Sequence, residues 1–140
     1  MTERPRTQVC GITISTPDPR ALAEFYSRLT GWPILMDEPG WVVIGRSNRP
    51  EDDPGIAFHI EDNYVRPVWP TRPGEQLSMM HLDVGAVDLA AVEAYAVECG
   101  ATFAEHQPGD GVRVYLDPDG HPFCLFQWAG ATISSPSLAV

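Results

Sequence analysis

The sequence predicts an α+β fold built from two copies of one module. Three observations carry that reading: an internal repeat at half the chain length, two well-punctuated helices, and short strand-like runs too rarely interleaved with helices for a doubly wound sheet. Residues 12–31 (ITISTPDPRALAEFYSRLTG) and 82–100 (LDVGAVDLAAVEAYAVECG) each pass from an alternating run through an aspartate and a helical stretch to a glycine. Asp18 and Asp88 stand 70 residues apart, and Gly31 and Gly100 stand 69 apart, in a chain of 140. Such self-similarity marks repeated structural units.

Each element follows from local chemistry. Asp18 suits a helix N-cap, because its carboxylate can accept from an otherwise unpaired N–H, and Pro19 suits the first helical position. Leu22, Phe25, Tyr26 and Leu29 then recur at helical spacing, and Gly31 can take the left-handed conformation that ends a helix. The Phe25–Tyr26 pair belongs to the core. The second helix repeats the plan with Asp88 as cap, a stripe of Leu89, Val92, Ala96 and Cys99, and Gly100 as stop. Strands are expected at Trp41–Gly45, Ile56–Ile60, Met79–Val84, Val112–Leu116 and Phe123–Trp128. DPDGHP at 117–122 is a strong turn signal joining the last two, and 46–55 is a second turn. The modules span about 8–60 and 78–128 of a single domain, 1–140, joined by a proline-rich loop at 61–77.

Composition narrows the function classes. Nineteen acidic residues face nine basic ones, a net charge of −10, so nucleic acid and anionic membrane surfaces are poor partners. Every basic residue is arginine, which excludes lysine Schiff-base chemistry and a P-loop. Three cysteines (Cys10, Cys99, Cys124) are too few and too scattered for a disulfide framework. No apolar run approaches the roughly 20 residues of a membrane span, and no secretory signal opens the chain. The expectation is a soluble, cytoplasmic protein.

Three stretches together carry a family resemblance: STPDPRALAEFYSRLTGW (15–32), MMHLDVGAVDLAAVEAYAVECGA (79–101) and VYLDPDGHPFCLFQW (114–128). Their layout resembles the vicinal-oxygen-chelate superfamily (glyoxalase, bleomycin resistance protein, dioxygenase), in particular its glyoxalase-like subgroup. The resemblance implies two βαβββ modules forming a cupped mixed β-sheet with helices on the outside, and a homodimer. Where such proteins bind a metal, the ligands come from a strand near the start and one near the end of each module. Carried onto this chain, those positions are Gly11, His59, His81 and Cys124. Gly11 has no side chain to offer, and Cys124 stands where the family usually has glutamate.

Strand alternation supports an inward polar set on its own terms. His59 shares a face with Ala57 against Ile56, Phe58 and Ile60; His81 shares one with Asp83; Cys124 shares one with Phe126 and Trp128. The residues expected to line a cup and meet a ligand are therefore His59, His81, Cys124, Arg113, Tyr115 and Trp69. An inward Arg113, on the same parity as Tyr115, would bind a carboxylate or phosphate, and an outward one would be a surface arginine. Trp69, with Tyr64, would form an aromatic lid or pack against a partner subunit. His59, His81 and Cys124 could hold a divalent transition metal (Zn, Ni, Mn or Fe), although no HxxxH or CxxC spacing backs such a site. None of the four positions is acidic, which disfavours Mg²⁺, Ca²⁺ and an iron facial triad. His121 reads as a turn residue and His106 as a solvated loop histidine. No GxSxG frames a nucleophile, and no catalytic residue is assigned. The expected function is a small-molecule-binding protein of the glyoxalase/bleomycin-resistance type, with an aromatic-lined cup and a degenerate metal site. The alternative is a metal-dependent lyase or isomerase, or a dioxygenase-related activity, using His59 and His81.

Overall fold

The computed structural model describes residues 3–50 and 52–129. They fall into two compact units that divide between Tyr64 and Val65. The first unit runs β1 (Gly11–Thr16), α1 (Pro19–Thr30), β2 (Ile34–Glu38), β3 (Trp41–Ile44) and β4 (Gly55–Ile60). The second runs β5 (Asp83–Ala86), α2 (Leu89–Cys99), β6 (Thr102–Phe103), β7 (Arg113–Leu116) and β8 (Pro122–Gln127). Each is a βαβββ module with a four-stranded mixed sheet, in the order β1-β4-β3-β2 and β5-β8-β7-β6. In both, the first and last strands run parallel and the remaining pairs are antiparallel. Among the described residues no helix is long and apolar enough to cross a membrane.

The helix boundaries fall where the capping residues put them. The Asp18 and Asp88 carboxylates accept the backbone N–H of Ala21 and Ala91 at 3.1 and 3.0 Å. Gly31 and Gly100 close the helices at positive φ, 75° and 119°, where a side chain would be strained. In the first module α1 buries Leu22, Phe25 and Tyr26 against Val42, Ile44, Ile56 and Phe58 of β3 and β4. Tyr26 stacks on Phe58 with ring centroids 5.7 Å apart. In the second, α2 buries Ala96 and Cys99 and packs on β8, whose Phe123 and Leu125 are fully covered.

Two strands, β2 and β6, lie where the sequence predicts none. A third, β5, starts at Asp83 rather than Met79. The cause is in its partner. Asp83 pairs with Cys124, and the Cys124 N–H still reaches the Leu82 carbonyl at 2.9 Å. One step further back the register meets Pro122, which has no N–H to continue the ladder. Met79 and Met80 are accordingly left 85% and 73% exposed.

Candidate functional site

Alternation gives each sheet one face under its helix and one face free of it, and chemistry concentrates on the second. In the first module that face carries Gly11, Thr13, Trp41, Val43 and Ala57. They line a cavity of about 450 Å³ whose wall includes Leu35, Met36, and Ser47, Asn48 and Asp53 of the 46–55 turn. Trp41 was not singled out from the sequence, although its parity with Val43, against buried Val42 and Ile44, carried the signal. His59 sits on the same side of β4, exposed, directly across from Trp41, with ring centroids 6.2 Å apart.

The floor has an unusually tight crossing. Gly11 and Gly55 are partners in the β1–β4 ladder. A Cβ at position 11 would lie 2.8 Å from the Gly55 carbonyl oxygen, and one at position 55 would lie 2.7 Å from the Ile44 oxygen. Both obstacles are backbone. Glycine at position 11 is thus enforced by strand approach, and it removes the first of the four ligand positions that the family resemblance implies.

In the second module, parity and register bring three donors together. His81, two residues ahead of β5, and Asp83 at its start lie close together, with Nε2 and Oδ1 3.2 Å apart. The parallel ladder sets Asp83 beside Cys124. One donor atom from each of His81, Asp83 and Cys124 lies within 4.8 Å of the others. None of the four family positions is a carboxylate; Asp83 stands beside them. His81 and Asp83 are exposed, whereas Cys124 is buried in a cluster with Ala104 and Val114. Burial above all, then the Asp83 charge and a hydrogen bond from the thiol to that carboxylate, push the Cys124 thiol up to about 11.

That cluster is covered by Trp69 from the proline-rich loop. Its indole N–H donates to the His106 carbonyl at 3.0 Å, and the two rings lie 5.9 Å apart. Gln107, unnoticed in the sequence, fixes the adjoining strand. Its amide donates to the carbonyls of Ala104 and Val114 and accepts the Val114 N–H, each at 2.8 Å.

Arg113 and Tyr115 are placed differently from the inward position expected of them. The β7–β8 register sets Val114, not its neighbours, beside Cys124, so Arg113 and Tyr115 turn toward α2. Both meet Glu93 there. The Tyr115 hydroxyl donates to Oε1 at 3.1 Å, and Arg113 Nε lies 3.7 Å from the same oxygen. Burial, the hydrogen bond to Glu93 and its charge raise the Tyr115 hydroxyl to about 12, against a smaller opposing pull from Arg113. The carboxylate that Arg113 finds is inside its own module. His121 is a turn residue, as the sequence indicated: its Nδ1 lies 2.8 Å from Asp117 Oδ2.

A reactivity difference should follow. At neutral pH iodoacetamide should label exposed Cys10 readily and Cys124 hardly at all, with the Cys124 rate climbing only as pH approaches about 11. Asp83→Asn should advance that onset to lower pH, because it removes the charge opposing the thiolate. Peptide mass spectrometry over a pH series checks this; equal rates at Cys10 and Cys124 at pH 7 would contradict the burial described.

Comparison with known proteins agrees with this architecture. A glyoxalase-like domain family model matches residues 11–126. No curated protein sequence matches the chain. Among solved structures, a glyoxalase/bleomycin resistance protein/dioxygenase family enzyme from Burkholderia phytofirmans PsJN aligns at TM-score 0.64 and 14% identity, over 86% of this chain and 98% of that one. A variant of the fosfomycin resistance protein from Listeria monocytogenes, complexed with Mn(II) and dihydroxypropylphosphonic acid, aligns at 0.63 and 12% identity, over 90% and 92%. A bleomycin resistance determinant encoded on the transposon Tn5 aligns at 0.51 and 19% identity, over 82% and 92%. At these identities the likeness is one of fold. With the family model spanning both βαβββ modules, the chain belongs to the glyoxalase-like domain family of the vicinal-oxygen-chelate superfamily.

Proposed function

We propose that this protein binds a small apolar or aromatic molecule, in the manner of the glyoxalase/bleomycin-resistance type, on the helix-free face of its first sheet. The observation that carries the reading is the cavity of about 450 Å³ floored by Trp41, Val43, Thr13 and Ala57. Small-molecule sites occupy this volume range, with apolar walls and a few polar groups for orientation. Trp41 supplies a flat apolar surface, Leu35 and Met36 supply adaptable contact, and Thr13, Ser47 and Asn48 supply hydrogen bonds. Solved relatives in fold include a bleomycin resistance determinant and a fosfomycin resistance protein, which favours a ligand of foreign or antibiotic chemistry. His59, across from Trp41, would meet the ligand's polar end.

A thermal-shift screen of aromatic metabolites, antibiotics and thiol adducts tests the reading. A hit should quench tryptophan fluorescence, and Trp41→Ala should weaken it at least about tenfold, a loss of about 1.4 kcal/mol. Unchanged affinity in Trp41→Ala would remove the cavity from the reading. Metal-stimulated turnover abolished by His59→Ala and His81→Ala would instead favour the lyase or isomerase.

A further inference from the structure

On the second module, the side of β7 turned away from α2 is already filled by a ring from outside the sheet. Ala104, Val114 and Cys124 are its buried floor, and Trp69, Val112 and Leu116 pack against them. Trp69 belongs to the segment 65–76, which precedes β5 and joins no strand. We propose that this face is a binding site for a planar aromatic molecule with a ring N–H, of the indole class, and that the segment 65–76 is a strap closing the site with its own indole. The site lies wholly in the second unit and does not rest on the reading of the first-module cavity.

The seat is organised by bonds in which Trp69 takes no part. The β7–β8 ladder fixes Val114 beside Cys124. Gln107 holds the loop after β6 to β7 through the carbonyls of Ala104 and Val114 and the Val114 N–H. That clamp sits one residue from His106, whose carbonyl accepts the indole N–H at 3.0 Å. Without the indole, an apolar slot and an aimed acceptor would therefore remain, the arrangement expected of a small-molecule site. Apolar cavities left by truncating one side chain take up small aromatic molecules.

The strap, by contrast, closes largely on itself. Its backbone bonds run from Val68 N–H to the Gln76 carbonyl at 2.9 Å and from Glu75 N–H to the Arg72 carbonyl at 3.2 Å. Side-chain bonds from Arg66 to the Pro118 carbonyl and from Trp69 tie it to the module. Trp69 is half-buried and the neighbouring His106 ring is exposed, so the seat reaches solvent along one edge. The corresponding face of the first module carries a cavity of about 450 Å³; here the strap's indole takes that place. A ring on a short tether competes at an effective concentration on the order of millimolar. The parent should therefore bind free indole weakly, and removal of the Trp69 ring should reveal the site.

Isothermal titration of the full-length chain with indole tests this. Trp69→Ala, shown folded by circular dichroism, should gain one site per chain and bind indole there at least about tenfold tighter than the parent does. Binding at the first-module cavity would appear equally in both proteins and cancel. 1-Methylindole should bind the new site at least about tenfold more weakly than indole, because it leaves the His106 carbonyl without a donor. Hydrogen exchange keeps the test decisive should Trp69→Ala fail to fold. Millimolar indole should speed exchange across 65–76 in the parent, and more so in Trp69→Phe, whose ring has no N–H to hold the strap. The proposal is overturned if folded Trp69→Ala gains no site, if 1-methylindole binds there as well as indole, or if indole leaves exchange at 65–76 unchanged in both the parent and Trp69→Phe.

Discussion

Phe58→Ala is expected to destabilise the protein by about 3–5 kcal/mol, the range for truncating a large aromatic side chain in a packed core. Phe58 has no measurable exposure and lies mid-strand in β4, between Ile14 of β1 and Val42 of β3. Its ring stacks on Tyr26, which in turn meets Phe25 edge-on at 4.8 Å. Truncation therefore leaves a cavity between sheet and helix and removes one aromatic partner from a three-ring chain. Little of the void can be refilled, because β4 is held by strands on both sides. Urea unfolding followed by fluorescence would report the loss as a lower midpoint with an unchanged slope. A loss under about 1 kcal/mol would mean that α1 does not seat on this sheet as described.

Asp117→Ala is expected to cost about 2–4 kcal/mol, since it strands several donors at once. Asp117 is only 1% exposed. One carboxylate oxygen accepts the backbone N–H groups of Asp119 and His121, both at 3.0 Å, and the His121 ring approaches both oxygens. Backbone hydrogen bonds between Asp117 and His121 and from Gly120 to Asp117 close the turn, and Arg66 donates across it to the Pro118 carbonyl. Asp117→Asn keeps one acceptor oxygen and should lose about half as much. Because β8 starts at Pro122, loss of this turn should also loosen Cys124. Faster alkylation of Cys124 in Asp117→Ala, measured beside the unfolding curve, would report that coupling. Equal stability of Asp117→Ala and the parent would refute the role assigned to the carboxylate.

The helices were legible because their signals are local. A capping carboxylate, an apolar stripe and a glycine able to take positive φ lie within one short segment. Strand β2 was not legible, since ILMDE after Pro33 lacks alternation, and β6 is two residues long. For the site, parity showed that His81 and Asp83 share a side, and that Arg113 and Tyr115 share one. Parity does not say which side meets the helix. Only strand register decides that, and register is a long-range property. Pairing Val114 with Cys124 turned Arg113 and Tyr115 toward Glu93, and pairing Asp83 with Cys124 assembled a donor set that no sequence spacing advertises.

The Gly11–Gly55 crossing makes a metal ligand at position 11 unusually hard to install. A donor at position 11 must displace the Gly55 carbonyl oxygen, and no second substitution can delete a backbone atom. A chain carrying this crossing cannot gain a donor there by a point change alone; β1 and β4 would have to separate first, at the expense of the ladder that joins them. For protein engineering the lesson is directional. New donors for the first module belong at Thr13, which already faces the cavity, and side chains placed at position 11 would force β1 and β4 apart.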